Sequence, residues 1–401
     1  MEKISIADKM VNFMESASWI RKMFEEGARL KKEYGQDKVC DFSLGNPDLS
    51  PPEAFQETLE KAAADRSPGV HSYMPNAGLP GVRDKIAIQV AKDHEVEPGG
   101  DEIIMTCGAA GGLNIIFKAI LNPGEEVIVP RPFFVEYHFY TDNHQGRLVP
   151  VDCNDDFSLD ISAIAEAVTD RTKAVLINSP NNPSGAIYDE KSIEELARLL
   201  ERMDKEKGQT IFLISDEPYR KLVFSGYHVP PLMKHYKNTI VTTSFSKDLS
   251  IPGERIGYVA VHPEVHHKAL LLGALNLANR ILGFVNAPAL MQRVVAEVAS
   301  QKVDTSIYER RRDLFAEILT RAGLSFTLPQ GAFYFFPKSP IEDETKFVRT
   351  LQNELILAVP GSGFGLPGYF RLAFCVDDEV IKRSEDGFKK AVEKSLSWTR
   401  A

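Results

Sequence analysis

The sequence predicts an α/β fold: a large domain with a mostly parallel central sheet sandwiched by helices, plus a smaller α+β domain. Three observations lead there. The chain has 401 residues, more than one hydrophobic core usually organises. Between Asp101 and Ala260, short apolar runs alternate with helical stretches, the pattern of crossover-connected strands covered on both faces. From about Val295 onward, charged helical segments enclose only two strand-like runs.

Residues 8–32 set Met10, Val11, Phe13, Met14, Trp19, Ile20, Met23 and Phe24 among charges at roughly helical spacing and read as one or two helices. Residues 41–52, with Gly45, Asn46, Pro47, Pro51 and Pro52, read as loop. Helices follow up to Ala64 and over 79–94. The strands expected next are 102–106, 126–130, 147–151, 174–178, 211–215, 240–244 and 256–261. The clearest helices among them are 109–121, 190–207 and 263–278. Then come a charged helix (303–322), strand AFYFF (332–336), a helix near 345–353, strand RLAFC (371–375) and a closing helix (378–396). Residues 51–294 are expected to form the large domain, and 1–50 with 295–401 the small one.

The net charge is -9 and no long Lys/Arg block occurs, which argues against a nucleic-acid partner. The apolar stretches are too short and interrupted to span a bilayer. Cys40, Cys107, Cys153 and Cys375 are widely spaced with no CxxC pair. Free thiols fit better than a disulfide framework or a metal site. The start MEKISIADKMVNF lacks the apolar run of a signal peptide, so a cytoplasmic protein is expected.

Lys247, in Ser244-Phe245-Ser246-Lys247, closely follows a strand and sits among small polar residues. A lone lysine is most often solvated surface. At the carboxyl end of a sheet strand it lies where α/β proteins bind ligands, and a desolvated amine attacks carbonyls. Asp216 ends strand 211–215. There a carboxylate either caps the next segment or faces a protonated ring nitrogen, with Tyr219 three residues on. Asn182 lies in NSPNNPSG, a turn by composition or a rigid loop presenting its amide. Residues 106–113, TCGAAGGL, open a helix with small residues that let backbone N–H groups approach a phosphate. Arg255 and Arg371 are surface cations by default. By function they would be forks for a phosphate and a carboxylate.

Taken together these segments resemble the class I/II aminotransferases, the fold-type I pyridoxal-phosphate (PLP) enzymes of the aspartate-aminotransferase kind. The likeness runs in order through GNPD (45–48), HSYMPNAGLPGVR (71–83), TCGAA (106–110), PFF (132–134), NNPSG (181–185), SDEPY (215–219), SFSKDLSIPGERIGY (244–258) and FRLAF (370–374). It implies that Lys247 binds PLP as a Schiff base and then moves protons, and that Asp216 pairs with the pyridine nitrogen. Asn182 and Tyr219 would bond the ring's phenolic oxygen. Phe134 would stack on the ring, where the family often has Tyr or Trp. The N–H groups of Ala109 and Ala110, with Ser244 and Arg255, would hold the phosphate. Tyr73 would reach the other subunit's phosphate, implying a homodimer with shared active sites. Gly45 would leave room near the substrate, Asn182 would border it, and Arg371 would grip its α-carboxylate.

The implied reaction is ping-pong amino transfer between an L-amino acid and a 2-oxo acid. A lyase on the same fold shares the cofactor apparatus, whereas a PLP-binding regulator would need a DNA-binding module that the short N-terminal segment cannot supply. The resemblance leans to aspartate or glutamate as donor. Arg280 lies near the stretch from which relatives extend an arginine across the dimer, one residue off. The Lys that some aspartate-type relatives carry at the Ala109-Ala110 segment is absent. Phe13, Trp19, Ile20 and Phe364 would instead suit aromatic or aliphatic donors.

Overall fold

The computed structural model describes residues 5–15 and 19–399. Its strands, in chain order, are β1 (Cys40–Asp41), β2 (Ile103–Thr106), β3 (Glu126–Arg131), β4 (Arg147–Asp152), β5 (Thr172–Asn178), β6 (Phe212–Asp216), β7 (Thr239–Ser244), β8 (Gly257–Val261), β9 (Tyr334–Phe335), β10 (Ile356–Leu357), β11 (Val359–Pro360) and β12 (Phe370–Ala373). The chain divides into two compact units, residues 46–310 with 328–333, and residues 1–45 with 311–327 and 334–401.

The larger unit holds a seven-stranded sheet in the order β2-β8-β7-β6-β5-β3-β4. The pairs from β7 through β6, β5 and β3 to β4 are parallel, and β8 runs antiparallel to both its neighbours. The period-two alternation of the strands sends side chains to opposite faces. Val127, Val129, Leu176 and Ile214 pack with helices Gly108–Ile120 and Lys268–Ile281 through Leu113, Phe117, Leu271 and Leu275. Ile128, Val175, Ile177 and Leu213 pack on the opposite face with Ile193, Leu196 and Leu200 of helix Glu190–Lys207. Beside β2 and β8, Met105, Tyr258 and Ala260 meet Phe55, Ile86 and Val294 from helices Glu53–Ala63, Pro80–His94 and Ala289–Val298. Through Val295, Ala296 and Val298, helix Ala289–Val298 packs on the core of the larger unit, beyond residue 294. Asp189 caps helix Glu190–Lys207 by accepting from Ser192 N, and Gly208 ends it in the left-handed conformation.

Expected elements differ in extent at several places, and β10 and β11 were not expected. Residues 263–267 are not helical; His267 is left-handed (φ 53) and helix Lys268–Ile281 starts only after it. In AFYFF only Tyr334 and Phe335 are strand, because Ala332 turns to φ 56 and its N–H bonds to Leu222 O. The closing helix is two helices, Asp378–Arg383 and Glu385–Thr399, joined at Ser384, whose hydroxyl donates to Ile381 O.

The smaller unit pairs β1 with β10 in parallel and builds an antiparallel sheet in the order β11-β12-β9. Its core is aromatic: Phe42, Phe315, Phe335, Phe374 and Phe388 meet at ring-centroid distances of 4.7–6.2 Å.

Candidate active site

The carboxyl ends of the sheet strands in the larger unit gather most of the residues expected to act. Asn178, Asp216 and Thr242 lie side by side in register, as do Thr106, Gly257 and Ser244. Lys247 follows β7 by a short turn, with its Nζ 5.6 Å from the centre of the Phe333 ring. Tyr219 is buried and meets the same ring edge-on at 5.6 Å.

Asp216 is buried, with its two carboxylate oxygens in different situations. Oδ2 accepts a 2.6 Å hydrogen bond from the Tyr137 hydroxyl, while Oδ1 has no partner. Burial pushes the carboxyl up to about 7, a rise that the Tyr137 bond opposes and the charge of Glu217 reinforces. The next residue, Glu217, is equally buried. There the burial penalty is outweighed by Arg220, by His94 and by the Ser215 hydroxyl, and the carboxyl falls to about 2. An orphaned buried oxygen costs free energy unless a donor reaches it. Asp216 is therefore shaped for an N–H donor that is not part of the chain.

Asn178 connects two neighbours. Its Nδ2 donates to Asp216 O (2.8 Å), and its Oδ1 accepts from Asn182 N (2.7 Å). Asn181 steadies the same loop by accepting from Ser184 N (3.0 Å) and Ser184 Oγ (2.9 Å). The half-buried Phe134 ring meets Tyr137 edge-on at 5.7 Å.

The phosphate side of the site rests on a close backbone approach. A Cβ at Gly257 would stand 2.2 Å from Thr243 O and 3.1 Å from Gly108 Cα, so only glycine lets the turn before helix Gly108–Ile120 lie over β7 and β8. That helix starts without a side-chain cap, leaving the first-turn N–H groups, Ala109 and Ala110 included, suited to an anion. Arg255 lies at the same turn, since a Cβ on Gly108 would meet its Nη2 at 3.0 Å. The acceptor Asp216 Oδ1 and this uncapped, arginine-flanked helix start fit a ring carrying both a protonated nitrogen and a phosphate.

The remaining expected residues belong to other elements. Tyr73 is 92% exposed on the larger unit and borders a shallow pocket with Met74, Phe284 and Asn286. Arg280 is exposed near the end of helix Lys268–Ile281. Gly45 and Arg371 belong to the smaller unit. The space beside Gly45 is filled by the Tyr334 hydroxyl of that same unit, so the glycine has a steric reason within the fold. Phe364 is buried against Phe336, Phe13 is only partly exposed, and the side chains of Trp19 and Ile20 lie outside those described.

Residues 37–384 match the family described as aminotransferase class I and II. The chain belongs to that family. The family is known to use PLP, and this chain is an aminotransferase. It is 31% identical to the aspartate/prephenate aminotransferase of Thermus thermophilus, over 91% of this chain and 93% of that protein. Among solved structures it is similar to an amino transferase from Eubacterium rectale (TM-score 0.94, 39% identity, 98% and 99% of the two chains). It is also similar to the Thermus thermophilus aspartate aminotransferase with maleate (TM-score 0.85, 28% identity, 98% and 100%).

Two residues of this candidate site escaped the sequence reading. Tyr137 lies three positions after Phe134, in a turn closed by the bond from Tyr137 N to Phe134 O that leads into helix Glu136–Asn143. Asn178 ends β5, where an amide in place of the apolar run was the available signal. Among the described residues no helix is long and apolar enough to cross a membrane.

Proposed function

We propose that this aminotransferase takes its amino group from an acidic amino acid, aspartate or glutamate, and passes it to a 2-oxo acid as a cytoplasmic PLP-dependent homodimer. The observation that carries the cofactor reading is Asp216, a buried carboxylate with one oxygen bonded to Tyr137 and the other without a partner.

In this reading Lys247 Nζ would hold the cofactor and, once freed, would carry the proton from the substrate's α-carbon to the cofactor carbon that takes up the nitrogen. Asp216 Oδ1 keeps the proton on the ring nitrogen. Asn182 and Tyr219 bond the phenolic oxygen, and Phe134 covers the ring. The N–H groups of Ala109 and Ala110, the Ser244 hydroxyl and the Arg255 guanidinium bind the phosphate, with Tyr73 reaching the phosphate of the partner subunit. When bound, the cofactor supplies the electron sink for the pair left on the α-carbon. Gly45 and Asn182 border the substrate, and Arg371 grips its α-carboxylate as a planar fork.

Several observations support the rest. The relatives' names carry aspartate and, for the Thermus thermophilus protein, prephenate. Helix Lys268–Ile281 leaves Leu270 (74%), Leu277 (47%) and Ile281 (56%) exposed on the face that carries Arg280, an apolar strip of the kind covered by a second copy. The four cysteines form no disulfide, as suits a reducing compartment.

The test is a single-turnover panel. Aspartate, glutamate, phenylalanine and leucine are each mixed with the PLP form, and loss of its absorbance is followed. The reverse half-reaction is run with 2-oxoglutarate and with prephenate. Aspartate or glutamate should react fastest. A clear preference for phenylalanine or leucine would reject the acidic-donor reading, and light scattering that shows an active monomer would reject the homodimer.

A further inference from the structure

Within the smaller unit, Tyr334 joins two residues that the sequence places far apart. A Cβ on Gly45 would lie 1.9 Å from the Tyr334 hydroxyl oxygen and 2.7 Å from its Cζ. Position 45 therefore admits no side chain while Tyr334 stays in place. The same Tyr334 ring lies against Arg371, whose Cζ is 4.7 Å from the ring centre, and Phe364 approaches that guanidinium at the same 4.7 Å. All three side chains are buried. Arg371 Nη2 also donates to Ser43 O at 2.6 Å. Ser43 is in turn fixed through its hydroxyl to Asp41 Oδ1 (2.6 Å), and Asp41 is paired with Lys31 (2.6 Å).

A guanidinium on a long side chain has several rotamers, and a fork that must meet a carboxylate in one plane needs most of them removed. The attraction of a cation to an aromatic face strengthens when the pair is desolvated, as it is here. We propose that Tyr334 is a positioning residue for Arg371: its ring holds the guanidinium in the plane that meets the substrate carboxylate, and residue 45 is glycine so that the ring can lie there. The inference rests on Arg371 being the carboxylate anchor, as read above.

The holoenzyme tests it with two readouts, the KM and kcat for aspartate and the dissociation constant of maleate, a dicarboxylate with no amino group to transfer, titrated through the cofactor absorbance. Tyr334→Leu keeps an apolar side chain and removes the aromatic face; it should raise both KM and the maleate constant about tenfold, with a much smaller change in kcat. Tyr334→Phe keeps the ring and should restore affinity to within about threefold of wild type, since the face of the ring provides the attraction. Gly45→Ala displaces the same ring and should weaken maleate binding similarly. The double variant Gly45→Ala/Tyr334→Leu should then bind no worse than the poorer single variant, because the two changes act through one contact.

Arg371→Lys separates the inference from the reading beneath it. If Arg371→Lys weakens maleate binding and Tyr334→Leu does not, the positioning role is overturned and the anchor stands. If Arg371→Lys leaves maleate affinity unchanged, the anchor itself falls. Should Tyr334→Leu fail to fold, Gly45→Ala carries the same expectation, and normal maleate affinity in that variant overturns the proposal.

Discussion

The Tyr137 hydroxyl donates a 2.6 Å hydrogen bond to Asp216 Oδ2, and both side chains are buried. A phenol that cannot reach water leaves this carboxylate oriented, with Oδ1 as the oxygen still to be satisfied. Removing the hydroxyl in Tyr137→Phe would leave two unsatisfied oxygens. A hydrogen bond to a charged group contributes about 1.5–3 kcal/mol, so kcat should fall about 10- to 100-fold, and the cofactor should be lost more readily on dialysis. A variant with wild-type turnover and retention would show that Tyr137 acts only as packing.

Asp216 also makes a pH prediction for the cofactor-free protein. Its carboxyl is raised by burial from an ordinary 3.8 to about 7. Between these values the folded chain binds one proton that the unfolded chain has released. Stability from this group is thus fully present below about 4 and is lost as pH rises towards 7, by at most about 1.4 kcal/mol per pH unit. Urea unfolding of cofactor-free wild type and Asp216→Asn across pH 4–8 isolates the effect. The stability of wild type relative to the variant should decline through that window and then level off. A difference independent of pH would place the Asp216 carboxyl in the ordinary range.

The inner strands of the sheet were legible because they are buried on both faces. Runs such as AVLIN and IFLIS have no polar face that would permit another reading, and they became β5 and β6 nearly to the residue. The roles expected of Lys247 and Asp216 came from the resemblance of their segments to the family, because each residue alone has an ordinary reading, a solvated lysine and a cap. Tyr137 and Asn178 were not legible, because a tyrosine in a short helix and an asparagine before a serine-proline turn are ordinary locally. Their importance comes from a partner elsewhere in the chain, Asp216. The partial loss of strand AFYFF has the same origin: Ala332 bonds to Leu222, a tertiary contact that no local pattern contains.

Lys247 is expected to be the amine that holds the cofactor. In Lys247→Ala, borohydride should fix no cofactor to the protein and turnover should vanish, whereas reduced wild type should carry the cofactor on the peptide containing Lys247. Mass analysis of the reduced, digested protein decides it. Cofactor attached to any other lysine of the variant would move the anchor away from the end of β7.

Arg280 is the candidate cation for the distal carboxylate of an acidic donor. It lies on the solvent face of helix Lys268–Ile281 together with Leu270 and Leu277, the face expected to be covered in a homodimer. If it reaches across that interface to a distal carboxylate, Arg280→Ala removes one partner of a desolvated charge pair. The loss in kcat/KM should then be about 2–5 kcal/mol for aspartate and glutamate, and small for leucine and phenylalanine, which bring no second charge. An equal loss for all four donors, with the dimer weakened in light scattering, would make Arg280 an interface residue. No loss for any donor would send the search for the distal cation to another arginine or lysine.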